Sequence, residues 1–152
     1  MKSMIAFLSE RPGGGHVAPV ADPPPVEVIV PYSNPVLAAA ALSGALDLAC
    51  GLETLVTLVA VHVLPFPAPL ECQEGIRHRL EANLAAIVRT TPATVRMKIV
   101  FARSRQDAFL RLLPRRSLVV VGARARWWRT REERFARTLA AAGHSVAIIT
   151  VK

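Results

Sequence analysis

Two periodicities alternate along this chain. Short runs of β-branched and aliphatic residues, the mark of strands, are separated by stretches in which apolar positions recur every three or four residues, the mark of amphipathic helices. The run Glu27–Pro31 predicts a first strand over about 26–31, ended by its proline. Ser33, Asn34 and Pro35 carry turn and helix-start chemistry. Leu37, Ala41, Ala45 and Leu48 then fall at helical spacing within Val36–Cys50, and Gly51 is the expected stop. Thr54–Leu64 is continuously apolar and suits a strand buried on both faces. Pro65, Pro67 and Pro69 end it in an extended linker. Over Glu71–Thr90 a helix is predicted, with Ile76, Leu80, Leu84, Ile87 and Val88 along one face. Val95–Ala102 is the third strand. Ser104–Asp107 resembles a helix-start box for a short helix that Pro114 closes. Leu118–Val121 forms the fourth strand and ends on Gly122; a helix follows over about 131–142, Gly143 stops it, and Val146–Val151 is the fifth strand.

Five strands alternating with four helices imply an α/β domain: a doubly wound parallel sheet with right-handed crossovers. Such sheets bind ligands beyond the carboxyl ends of their strands, where the winding reverses. Residues 1–25 read differently. RPGGGHVAPVADPPP is rich in Gly and Pro and has little apolar periodicity, which predicts a flexible or extended tail ahead of a domain at 26–152. His16 in that tail has no partner at a ligand spacing.

Composition changes this picture in two places. Hydrophobic residues make up 52% of the chain and the mean hydropathy is +0.35. The most apolar stretch, Leu55–Leu64, is nevertheless far short of the roughly 20 residues a spanning helix needs. The expectation is a cytoplasmic protein without a membrane span. Cys50 and Cys72 are expected to be ordinary buried or half-buried thiols rather than a disulfide framework. The net charge of +8 is concentrated. Arg115–Arg137 holds eight arginines and two glutamates, a net of +6, which leaves +2 for everything else. Such a patch suggests an anionic partner, or a solvated surface that keeps an apolar domain dispersed.

The stretches VIVPYSNPVLAAAALSGALDLA, LVTLVAVHVL and SLVVVGAR…SVAIITVK together resemble the universal stress protein family over about 26–152. The resemblance implies a three-layer Rossmann-like sandwich of the adenine nucleotide alpha hydrolase type, strand order 3-2-1-4-5, with the crevice between strands one and four. It also implies a stress-response role and a homodimer, commonly through the last strand, here Val146–Val151. Many members bind ATP with an aspartate after the first strand and a Gly-x2-Gly-x9-Gly-Ser/Thr loop after the fourth. The crevice residues so indicated are Pro31, Tyr32, Ser33 and Asn34 on one side, and Gly122, Arg124, Arg126 and Trp127 on the other.

The motif itself is dismantled. Ser33 stands where the aspartate is expected. Counted from Gly122, the later glycines fall on Ala125 and Phe135; counted back from the last strand, the Gly-Ser pair falls on Glu132-Glu133. Phosphate loops need glycine because bare amides must approach the oxygens closely. Thr130–Glu133 instead spells a capping box that satisfies its own helix. Glu132 and Glu133 would also repel a triphosphate placed there.

Three readings remain open at this level. One is a non-enzymatic stress-protein-like module that does not bind ATP in the usual way and acts as a homodimer or through a protein partner, with Trp127 or Trp128 plugging the old crevice. Another is a nucleotide-binding domain, for ATP or AMP, in which Arg124 and Arg126 replace the glycines and hydrolysis is weak or absent. The last is a binder of nucleic acid, an acidic protein or a membrane surface through 115–137. No nucleophile elbow, Ser/His/Asp set or metal-ligand spacing argues for catalysis.

Overall fold

The computed structural model describes residues 4–8, 26–70, 73–115 and 117–152. Its elements are β1 (Met4–Leu8), β2 (Val26–Pro31), α1 (Pro35–Ala49), β3 (Thr54–Val63), α2 (Glu74–Arg89), β4 (Val95–Ala102), α3 (Arg105–Leu112), β5 (Leu118–Arg124), α4 (Arg131–Ala141) and β6 (Ser145–Val151). The sheet runs β1-β6-β5-β2-β3-β4. From β2 onward every strand pair is parallel, so the five predicted strands lie in the order 3-2-1-4-5 of a doubly wound fold. Among the described residues no helix is long and apolar enough to cross a membrane.

Strand alternation sorts the core into two layers. Val28, Val30, Leu58, Val120 and Ile149 face α1 and α2, where Ala38, Ala41, Leu42 and Leu84 meet them. Ile29, Val59, Val119, Val121 and Ile148 face α3 and α4, packing on Phe109, Leu113, Phe135 and Leu139. The two rings Phe109 and Phe135 meet edge to face at 5.1 Å and tie α3 to α4. Helix α1 lies close to the sheet because Gly44 has no side chain: a Cβ there would sit 2.6 Å from Cδ1 of Ile149.

Several details depart from the pattern. Met4–Leu8 is a strand, not tail, and pairs antiparallel with β6 from Met4↔Thr150 to Leu8↔Val146. The last strand therefore lies between β5 and β1, and the edge of Val146–Val151 through which the resemblance implies a homodimer is covered by this chain's own backbone. Residues 9–25, including His16, lie outside the described residues, as does Cys72. Cys50 is exposed rather than buried. Helix α2 begins at Glu74, with Glu71 outside the described residues, and only Leu84 and Ile87 of its apolar face are buried. The outer edge of the sheet is β4, where exposed Arg96 and Lys98 guard the unpaired backbone.

The proline-rich linker after β3 is held by a side chain that no sequence pattern marks. Arg103 donates from Nη1 to the carbonyls of Leu64 (3.2 Å) and Pro65 (2.8 Å), and from Nη2 to Ala68 (2.6 Å). Its guanidinium also lies 4.1 Å from the Phe66 ring centre.

Candidate functional site

The winding reverses between β2 and β5, so the crevice lies where their carboxyl ends meet the first turn of α1 and the loop before α4. The strands β2 and β5 run side by side toward this point, and Gly122 meets the first turn of α1 at Leu37. On the β2 side, the Tyr32 amide donates to the Val59 carbonyl at 2.8 Å, which keeps the chain on the sheet for one more residue. Burial pushes the Tyr32 phenol above its ordinary value, so the ring stays a neutral hydroxyl at physiological pH. Asn34 caps α1: its Oδ1 accepts from the Leu37 amide at 3.0 Å, and its carbonyl accepts from Ala38 at 2.9 Å. Pro35 occupies the first turn and has no amide to offer. Ser33 is half-buried, and no base faces it among the hydrogen bonds of the described residues.

On the β5 side the chain does not open into a loop at Gly122. The ladder with β6 continues through Gly122↔Ile149 and Ala123↔Thr150 to Arg124↔Val151. The Ala125 amide then donates to the Val151 carbonyl at 2.8 Å. The fourth strand thus runs three residues beyond the Val121 end read from its apolar run. Gly122 itself is completely covered by α1. A Cβ there would lie 2.9 Å from the carbonyl carbon of Leu37 and 3.1 Å from its Cβ. This glycine admits the helix.

Helix α4 is capped by its own first turn. The Thr130 hydroxyl accepts from the Glu133 amide at 3.2 Å, and the Glu133 carboxylate accepts from the Thr130 amide at 3.3 Å, a complete capping box. Glu132 behaves differently from the expectation that it repels an anion. Arg105 of α3 donates to its carboxylate through both guanidinium nitrogens at 3.2–3.3 Å, and both side chains are only 13% exposed. The guanidinium also stacks 4.3 Å from the Phe135 ring centre. Glu132 is therefore neutralised, and Arg105 is a member of this region that sequence reasoning missed. Its partner lies 27 residues away, too far for any helical spacing to signal.

The tryptophans do not plug the crevice. Trp127 is 92% exposed and Trp128 is 56% exposed. They meet each other edge to face at 5.7 Å, and Arg126 lies 5.8 Å from the Trp128 ring centre. Arg124, Arg126 and Arg129 are exposed beside them. At the crevice backbone meets backbone: the Leu37 turn packs on Gly122, and the β5 ladder runs on to Arg124. Beside α4, Ser104, Gln106, Arg131, Arg134 and Thr138 line an open groove of about 480 Å³ between α3 and α4.

Among the described residues, no group of three or more His, Cys, Asp or Glu gathers at a metal-binding distance. His144, in the turn before β6, has a buried Nδ1 with no hydrogen-bonding partner among those residues, and burial holds its pKa below the ordinary histidine value. No family model matches this chain, and no curated protein matches it.

Proposed function

We propose that this chain is a non-enzymatic regulatory module of the universal stress protein type, one that has kept the doubly wound scaffold and given up the family's usual grip on ATP. The observation that carries this reading is the course of β5: the strand stays paired with β6 to Arg124↔Val151 and the Ala125 amide donates to the Val151 carbonyl, so the chain does not turn out of the sheet into a loop at Gly122. The capped ends of α1 and α4 support it, because the Leu37, Thr130 and Glu133 amides are taken by side chains of the same turns. Such a module acts by presenting a surface rather than by turning over a substrate. Self-association at the β6 end of the sheet would run through β1, or through β6 once β1 has left it.

Calorimetric titration with magnesium and ATP tests the reading. The expected result is no saturable heat. Micromolar binding that is lost in Arg124→Ala or Arg126→Ala would instead support a nucleotide site built from guanidinium groups.

A further inference from the structure

We propose that the α3–α4 groove and the tryptophan loop beside it form a binding surface for single-stranded nucleic acid. This goes beyond the module reading and does not depend on the loss of ATP binding.

Three features of the surface point the same way. The first is unspent charge. Arg105–Glu132 is the only ion pair among the described residues. Arg124, Arg126, Arg129, Arg131, Arg134 and Arg137 are exposed and have no carboxylate partner there. The last three of these recur every third residue on α4 and so share one stripe of the helix. All are arginine, whose planar fork takes phosphate oxygens two at a time. The second feature is concavity. Ser104, Gln106, Arg131, Arg134 and Thr138 place donors and hydroxyls in the groove, and among the described residues no acidic one lines it. A linear phosphate backbone fits such a trough. The third is the aromatic pair. Trp127 and Trp128 are exposed and, among the described residues, meet only each other and Arg126 as ring partners, and Trp128 is only three residues ahead of Arg131, which lines the groove. Exposed rings beside a cationic groove are how sequence-tolerant single-strand binders hold bases and backbone together.

A lipid surface fits less well. The loop carries no aliphatic residue larger than Ala125 beside its two rings, and a planar membrane makes no use of a concave polar groove. Duplex DNA fits less well too, because its bases are stacked inside and leave nothing for the tryptophans.

The test is fluorescence titration with oligo(dT) of about 12 nucleotides. Stacking should quench the tryptophan emission. For about four phosphate contacts, the logarithm of affinity should fall with the logarithm of salt at a slope of about −3. Trp127→Ala with Trp128→Ala should weaken binding about tenfold or more, read by anisotropy of a labelled oligonucleotide. Arg131→Ala with Arg134→Ala should reduce the slope by about one unit or more. Arg89→Ala, on exposed α2, should change neither, and all variants should melt like the parent because the altered side chains are exposed. The proposal is overturned by absence of binding at low salt, by binding that survives both double substitutions, or by a preference for phosphatidylserine vesicles with blue-shifted emission and no affinity for the oligonucleotide.

Discussion

Arg105 and Glu132 join α3 to α4 through two guanidinium nitrogens and one carboxylate, at 3.2–3.3 Å, over the ring of Phe135. Both side chains are largely out of water, so neither can lose its partner cheaply. Glu132→Ala leaves a guanidinium stranded and should cost about 2–3 kcal/mol in urea unfolding. Replacing both members, with Arg105→Met and Glu132→Leu, should recover most of that loss, because the desolvation of two charges disappears with the pair. A double variant no better than the single one would show that the pair does more than tie two helices.

Gly122→Ala separates a packing glycine from a phosphate glycine. The added methyl meets the Leu37 backbone at contact distances real side chains do not adopt. The sheet or α1 must shift, at a cost of about 1–3 kcal/mol or more. The expected outcome is a lower urea midpoint with an unchanged slope. A variant of parental stability would mean that α1 does not press on this strand.

The fold was largely legible because it rests on short-range signals. The apolar runs at Val28–Val30, Leu55–Val61 and Val119–Val121 and the proline and glycine stops place the parallel strands and their order of alternation. Asn34 and Thr130 announce the helix starts they make. What escaped rests on long-range backbone contacts. MIAFL is an ordinary apolar run before a Gly- and Pro-rich stretch, and nothing in it names a partner some 140 residues away. The lining of the crevice escaped for the same reason. Gly122 has the right chemistry for a phosphate turn, and only the Leu37 carbonyl above it and the Val151 carbonyl beside Ala125 show that it serves packing. A tryptophan in that space was one of the readings the sequence left open; the positions of Trp127 and Trp128 on the loop carry no periodicity that decides between a buried and an exposed ring.

The capping box at α4 predicts an asymmetry between its two members. Thr130→Ala removes the acceptor for the Glu133 amide and should cost about 1 kcal/mol. Glu133→Gln keeps an acceptor for the Thr130 amide and should lie within about 0.5 kcal/mol of the parent. Thermal unfolding of the two variants side by side checks both figures.

His144 gives the stability a pH dependence of definite sign. Burial lowers its folded-state pKa, while the unfolded chain protonates near the ordinary value of about 6.5. Between those values the unfolded state binds more protons, so stability rises with pH there and falls as the solution is acidified. Below the folded-state pKa both states are protonated and this contribution levels off. His144→Gln should flatten the slope of urea midpoint against pH just below pH 6.5. An unchanged slope would remove His144 as its source.

The proposed loss of ATP binding is tested most directly by amide chemical shifts. With the chain labelled in nitrogen-15, ATP and magnesium in large excess should leave the Leu37, Gly122, Ala123 and Ala125 amides where they are, since the sheet and α1 already hold this backbone. Saturable shifts confined to Gly122–Arg126 and the first turn of α1 would contradict the account, because they would place a triphosphate where the main chain is said to be spoken for.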